Sequence, residues 1–553
     1  MTSDNGEFGM NPTESKTTGT VGNFSRGSRE TPATSAAPMA ADRSEKARSH
    51  KSDMHVAGES DRPIVPKKPA NKEGVPPPAE SVEGRGLTEE NTGQSLLDRT
   101  QRRTSDGRPF VPRSRGLLGV REAAQQDKKC RFTNLLHHIT PELLRASFFD
   151  LKKQAAPGVD DETWRDYAKD FERRIEDLHE RIHRGAYRAK PSKRTYIPKP
   201  DGKLRPLGIA ALEDKIVQQA ARTVLECIYE EDFIGFSYGF RPRRSQHRAL
   251  DALYMAITKQ KVNWILDADI RGFFDNISHE WLMKFLEHRI ADRRMLRLLK
   301  KWLRAGVSED GEWSPTKVGT PQGAVISPLY GNVFLHYVLD LWIEQWRKRH
   351  AKGEVIIVRY ADDFVIGFQH ESDARRCLAE LRERFAKFSL ELHPEKTRLF
   401  QFGRYAEERR AQRGEAKPET FDFLGFTHIC GKTRRGDFTI HRKTSRKKFQ
   451  AKLKALKLKL FRNIHVDLSR VGALLQSVLR GWCQYYAVPG NYRRLQQFRD
   501  ALQVMWLHAL RRRSQRGRCL TWAKFAKLTA RWLPTPKILH PYPSVRFARQ
   551  HPR

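Results

Sequence analysis

The feature that most narrows what this chain can fold into is the stretch Val355–Phe368, VIIVRYADDFVIGF. Two short apolar runs, Val355–Val358 and Phe364–Phe368, are rich in β-branched and aromatic residues and read as buried strands. The polar tip between them, Tyr360-Ala361-Asp362-Asp363, reads as a tight turn. Two adjacent carboxylates therefore sit where two buried strands reverse. Such a pair repels itself unless a cation lies between or beside it. Aspartate is also a common turn residue, so the pair alone leaves a plain turn and a metal site both open.

Composition adds a partner class. The 553 residues carry 103 Lys+Arg against 65 Asp+Glu, a formal net charge of +38, which points to a polyanionic partner. The excess is uneven: residues 431–553 hold 30 Lys+Arg and 3 Asp+Glu, a net of +27. Eleven Trp and 29 Phe could stack bases beside neutralised phosphates. The six cysteines form no CxxC pair, which suggests neither a zinc site nor a disulfide framework. With no apolar run near ~18 residues, no membrane association is expected and a soluble protein of a reducing compartment is. Residues 1–110 are rich in Ser, Thr, Pro, Gly and charge, and are expected to be a disordered extension.

Further along, Phe132–Leu136 and Leu143–Leu151 read as short helices. Asp160 or Asp161 can cap a long helix with Trp164, Tyr167, Phe171, Ile175, Leu178 and Ile182 on its apolar face. Asp201-Gly202 between β-like runs predicts a hairpin with Lys199 and Arg205 on its arms, either solvated charges or cations for a triphosphate. Trp264–Ile270 predicts a strand whose alternation puts Asp267 and Asp269 on one face, so either acid is a metal-site candidate. The bend Gly319-Thr320-Pro321-Gln322-Gly323 opens a helical stretch, Ala324–Trp346, and lets backbone approach a ligand near a helix N-terminus. Phe421–Phe426 predicts a strand with a bend, and residues 446–460, Leu468–Val488 and Leu495–Leu510 predict helices. The tail after Leu533 is Pro-rich.

In this order the motifs resemble the reverse transcriptases encoded by bacterial group II introns, over about residues 115–545. Tyr360–Asp363 matches that family's signature hairpin, and Ala268–Asp275 its first metal-binding block. Gly319–Leu329 matches the template and nucleotide block, and Ile197–Lys199 with Leu204–Leu207 the fingers block. Pro394–Thr397 and Phe423–Phe426 match the last two polymerase blocks. Arg480–Tyr486 and the aromatic-basic run around Trp506 resemble the maturase region, domain X. The family's usual C-terminal endonuclease with Cys pairs has no counterpart in the 40 residues after Arg513, so the resemblance is to an endonuclease-lacking member.

The resemblance implies an α+β right-hand polymerase: fingers and palm with an antiparallel sheet over 115–430, then an all-α thumb/maturase domain over 431–545. It implies RNA-directed DNA synthesis, help with intron splicing, and intron mobility. Asp269, Asp362 and Asp363 would be catalytic and hold two Mg²⁺ ions. Lys199 and Arg205 would contact phosphates, Phe274 would lie under the sugar and exclude a 2′-hydroxyl, Gln322 would pack on nucleotide or template, and Lys396 would sit near the incoming nucleotide. Arg480, Trp482, Tyr485, Arg511, Arg512 and Arg513 would bind RNA. The implied partners are group II intron RNA, an RNA template with a DNA primer, target DNA and dNTPs, in a bacterial cytoplasm and at the nucleoid during mobility. Two rival readings stand beside this one. One is a reverse transcriptase recruited to defence or repair without an intron. The other is an RNA-binding splicing factor with a little-used polymerase fold.

Overall fold

The computed structural model describes residues 115–198 and 204–550. The expected disordered extension, Lys199 and the turn 200–203 lie outside these residues.

The longer helices are α1 Arg115–Gln126, α2 Pro141–Asp150, α3 Phe171–His183, α4 Leu212–Asp232, α5 Gln246–Lys259, α6 His279–Arg289, α7 Arg293–Arg304, α8 Ser327–Leu335, α9 Leu341–Arg349 and α10 Glu371–Ala386. The C-terminal set is α11 Arg446–Arg462, α12 Leu468–Tyr486, α13 Tyr492–Arg513, α14 Trp522–Trp532 and α15 Pro543–Gln550. Among the described residues no helix is long and apolar enough to cross a membrane.

The central sheet contains β3 Trp264–Asp269, β6 Val355–Tyr360, β7 Asp363–Phe368 and β8 Arg398–Gln401, in the antiparallel order β6-β7-β3-β8. Its strands are apolar on both faces because both faces are covered. Leu266, Ala268, Ile357, Phe364 and Ile366 pack into a core formed with the helices that precede and follow them. Ile265, Ile356, Val358 and Val365 pack into a second core, shared with α5 and the C-terminal helices. Burying Ile or Val on either face contributes about 1.5–3 kcal/mol per side chain, which fixes the register: a one-residue slip would invert both sets.

A second sheet has the order β2-β1-β4-β5, from β1 Ser192–Pro198, β2 Leu204–Ile209, β4 Val307–Glu309 and β5 Glu312–Ser314. The predicted hairpin is present, with Ile197 opposite Arg205. A third sheet joins β9 Phe421–Phe423, β10 Phe426–Lys432 and β11 Phe438–Thr444, with the predicted bend at Leu424-Gly425. The expected border at residues 430 and 431 falls inside β10. The chain stays in strands as far as Thr444, and helix begins at Arg446.

Several expectations are corrected. The long helix predicted before Gly185 is broken into a turn Trp164–Tyr167, a 3₁₀ turn Ala168–Asp170 and α3. Thr163 caps the first piece, its side chain accepting from the Asp166 amide, while Asp160 and Asp161 are taken by Lys190 at 3.0 Å and Lys193 at 2.6 Å. Phe132 pairs with Ile290 in an isolated bridge rather than starting a helix, and a 3₁₀ turn follows at Leu136–His138. The stretch 324–346 starts its helix only at Ser327, with Pro328 in the first turn, where a missing amide costs nothing. It is interrupted by a π-helical segment, His336–Asp340. The Pro-rich tail carries α15, which packs on α5; Arg546 lies 3.2 Å from Asp251.

Candidate active site

The β6–β7 hairpin closes through the two residues Ala361 and Asp362, and Ala361 adopts φ +59. A left-handed alanine is unfavourable, so the surroundings must hold it. Three contacts do so. Ser237 pairs in parallel with Arg359, extending the sheet edge. Gly239 presses on the turn so closely that a Cβ there would lie 2.1 Å from the Ala361 nitrogen. The fully buried Arg359 guanidinium donates to the Ala361 carbonyl at 2.9 Å, to Asn332 Oδ1 at 3.1 Å and to Asp340 Oδ1 at 2.7 Å. Asn332 in turn donates to the Gly239 carbonyl at 2.8 Å. The π-helical segment thus brings Asp340 beneath the hairpin, and every element of this network grips the turn.

The register places Asp269 directly opposite Asp363, with Asp362 next to it on the turn. Burial, and the neighbouring Asp267, Asp362 and Asp269, push the Asp363 carboxyl well above the usual range, against a smaller opposing pull from Lys396. Burial also raises Asp362, with Asp269 adding to the shift and Arg205 and Arg359 opposing it. Lys396 Nζ reaches Asp269 Oδ2 at 2.7 Å, and the loop bearing it is fixed to β3 by the His393 amide donating to the Asp269 carbonyl at 2.8 Å. Asp267, the rival on the same face, is occupied otherwise: it faces Arg398 across β3–β8, at 3.5 Å. Burial pushes its carboxyl to about 6 despite that cation.

Nearby, Gln322 joins three segments. It receives Arg205 Nε at 2.8 Å, donates to Asp275 Oδ1 at 2.9 Å, and accepts the Gly208 amide on its backbone carbonyl at 2.7 Å. The bend that bears it is seated on the segment after β3: Gly319 donates to the Ile277 carbonyl and Thr320 to the Phe274 carbonyl, both at 2.8 Å. Gly319, at φ +85, has no room for a Cβ, which would meet the Asp275 carbonyl oxygen at 2.7 Å. Phe274 is half-buried, its ring edge-on to Phe273 at 5.0 Å. The structure therefore gathers Asp269, Asp362, Asp363, Lys396, Arg205, Gln322 and Phe274 at one end of the central sheet. Sequence reasoning missed Asp275 as a site residue, though it lies within the quoted block; a lone exposed acid after a strand gives no signal of its partner.

The basic, aromatic C-terminal candidates fare differently. Trp482 is buried and stacks on Phe498 at 4.2 Å, and the Tyr485 hydroxyl donates to the Leu424 carbonyl at 2.7 Å. Arg511 donates to the Leu520 carbonyl at 2.9 Å and Arg513 to the Val466 carbonyl at 3.0 Å. Arg512 is exposed above Phe461, and Arg480 is exposed on α12.

Among the described residues no three His, Cys, Asp or Glu side chains close into a ready-made metal cage. The acidic cluster still suits a hard divalent ion. Burial first, and then the neighbouring carboxylates, raise Asp362 and Asp363; a cation relieves that strain, and magnesium uses one or two carboxylates while phosphates and water complete its shell.

Comparison with known proteins agrees. Residues 197–428 match the family described as reverse transcriptase (RNA-dependent DNA polymerase). The protein YkfC of Escherichia coli K12 is 35% identical over 275 residues, 44% of this chain and 72% of that one. The group II intron-encoded protein LtrA of Lactococcus lactis is 27% identical over 453 residues, 68% of this chain and 74% of that one. The putative COX1/OXI3 intron 1 protein of Saccharomyces cerevisiae is 34% identical over 179 residues, 32% of this chain and 21% of that one. Polymerases of this kind depend on a divalent metal. The facing carboxylates, the hairpin between them and these relatives lead to one conclusion: the chain belongs to the reverse transcriptases encoded by group II introns, and is an RNA-directed DNA polymerase.

Proposed function

We propose that Asp269, Asp362 and Asp363 hold two Mg²⁺ ions and form the polymerisation centre for copying an RNA template from a DNA primer with dNTPs. The observation that carries this is the register of β3 and β7, which sets Asp269 against Asp363 at the sheet end and leaves Asp362 on the turn beside them. When bound, the ions supply acidification of the primer 3′-hydroxyl and neutralisation of the triphosphate. The chain's own residues do the positioning. Arg205, held by Gln322, offers a cation to the phosphates, and Lys199 is assigned as the second from its place in the sequence motif. Lys396 sits one side chain from Asp269 and can pass its ammonium to an arriving phosphate. Phe274, seated behind the bend that bears Gln322, is the surface against which the sugar lies.

The family also assists splicing and mobility of its intron, and we assign the RNA contact to the exposed cations Arg480 and Arg512 and to the outer face of α11, with Lys447, Lys448, Lys454 and Lys457. Trp482, Tyr485, Arg511 and Arg513 shape that surface from within. The partners we infer are the intron RNA, the primed template and target DNA, in the bacterial cytoplasm and at the nucleoid during mobility. The chain up to Thr444 acts as fingers and palm, and the helices from Arg446 to about residue 545 act as thumb and maturase. The test is the double variant D362A/D363A: Mg²⁺-dependent extension of a primed RNA template should fall to background while circular dichroism keeps the wild-type fold. Full extension by the folded variant would remove the assignment.

A further inference from the structure

Helix α7 buries Met295, Leu298, Leu299, Trp302 and Leu303, and carries six cations and no acid. Four of them, Arg293, Arg297, Lys300 and Arg304, are exposed and recur at steps of four, three and four. That spacing sets them in one line along the helix over about 16 Å. Among the described residues none of the four has a carboxylate partner, whereas Arg294 beside them is bonded to Asn134 at 3.1 Å and lies 3.7 Å from Asp292. Lys301 is turned inward onto the carbonyl of Gly185 at 3.1 Å; burial pushes its amine down, and Arg297 and Arg188 push the same way. A crowd of like charges this dense raises the folded state's energy unless something anionic lies against it.

The line leads somewhere. At its C-terminal end stands Trp313 on β5, 59% exposed, its ring nitrogen bonded to the Ala305 carbonyl at 3.1 Å, so the ring is presented rather than loosely tethered. The last cation, Arg304, lies near enough to His279 to oppose its protonation, after burial; His279 in turn bonds the Gly319 carbonyl at 2.6 Å. Gly319 begins the bend that carries Gln322. Three acids, Glu309, Asp310 and Glu312, surround Trp313, so phosphate contact stops there and an aromatic face remains.

The side on which this track lies matters. The C-terminal helices belong to the second core and α7 to the first, on opposite faces of the central sheet. If the C-terminal helices hold the primer–template duplex, the strand not yet copied leaves on the other side. We propose that α7 and Trp313 form a track for the single-stranded RNA template ahead of the catalytic carboxylates. The four cations take its phosphates over roughly five nucleotides at the 3.4 Å spacing of a stacked strand, and Trp313 stacks an unpaired base. The proposal rests on the polymerase reading above.

Primer–templates whose RNA strand overhangs by one or by ten nucleotides test it. For the quadruple variant R293Q/R297Q/K300Q/R304Q, affinity for the long overhang should fall on the order of tenfold or more near 0.1 M salt. The slope of log K against log salt should flatten by roughly three, at about 0.7 per phosphate contact on a single strand. The one-nucleotide overhang should bind and extend as with wild type. Trp313→Ala should weaken the long overhang by roughly tenfold with its salt slope unchanged. The double variant R297Q/K300Q gives half the slope change if the quadruple variant melts early. An equal loss on both substrates, or no loss on the long one, overturns the track. So does a loss of intron RNA binding with overhang dependence intact, which would assign α7 to folded RNA. Wild-type protein that extends neither substrate removes the polymerase reading itself, and the track with it.

Discussion

The turn of the central hairpin and the α12–α13 pair contain the same kinds of residue, arginine beside aromatics and carbonyls, and use them in opposite ways. At the hairpin, one buried arginine, Arg359, serves the backbone so that the turn holds two carboxylates beside Asp269. In α12–α13, arginines and aromatics that look ready for RNA are spent on the protein itself: Trp482 on Phe498, Arg511 on the Leu520 carbonyl, Arg513 on the Val466 carbonyl. A polar group in a core is there to satisfy something; a polar group on a helix surface has to be checked for the same duty before it is given a ligand.

The largest effects should come from the buried members of each region. Arg359→Met leaves Asp340 buried and unpaired, and should cost about 3–5 kcal/mol, read by denaturant melt. Extension should be lost along with stability, and adding Asp340→Asn should recover stability without recovering activity, because the Ala361 carbonyl still lacks its donor. Recovery of both would mean the network is only a core pair. Trp482→Ala should cost a comparable ~3–5 kcal/mol, and any loss of RNA affinity should vanish under conditions where the variant is fully folded. Weak RNA binding by a fully stable Trp482→Ala protein would place that ring in the interface instead.

Smaller effects separate the arginines. Arg480→Gln and Arg512→Gln should each flatten the salt dependence of intron RNA binding by roughly one, with melting unchanged. Arg511→Gln and Arg513→Gln should each cost about 1 kcal/mol of stability with the slope kept. If all four behave alike, the contrast between the regions is wrong. Phe274→Ala should raise the ratio of rNTP to dNTP incorporation; an unchanged ratio would make Phe274 part of the core only.

The smallest expected effect is on pH. His247 stacks on His540 at 4.0 Å, bonds the Tyr485 carbonyl at 2.8 Å and lies near Arg546 and Arg442; burial first, then His540, lowers it to about 3. Since its unfolded value is higher, near 6.5, its contribution is complete above about 6.5 and is lost as pH falls towards 3. By pH 5.5 the docking of the C-terminal segment should weaken by about 1 kcal/mol, seen as faster hydrogen exchange of the Leu539 and His540 amides after correction for intrinsic rates. Equal protection at pH 7.5 and 5.5 would show that His247 does not hold the segment.

What could be read from the chain alone follows the range of the interactions. The hairpin, the Asp-Gly arms and the bend at Leu424-Gly425 are local patterns of apolar alternation and turn chemistry, and the structure has them. Alternation could not choose between Asp267 and Asp269, since both share a face; only the register, which puts Arg398 opposite Asp267, separates them. Arg359 inside an apolar run signals a buried partner, yet Asp340 reaches it through a π-helical insertion that no 3.6-residue period reveals. The line of cations on α7 is an amphipathic repeat not singled out from the sequence, and its freedom from carboxylates is a tertiary fact. The same holds in reverse for Arg511 and Arg513.

The course of β10 through residues 426–432 bears on how such proteins can be recombined. A gene cut at codon 430 would split one strand of a three-stranded sheet and leave β11 without its neighbour. It would also strip the cover from Ile265, Ile356, Val358 and Val365, which face the C-terminal helices. Exchanging the C-terminal part between relatives is therefore a graft onto one face of the central sheet. A chimera should tolerate a crossover in the irregular stretch 413–420 better than one in β10, and should improve when those four face residues travel with the helices that cover them.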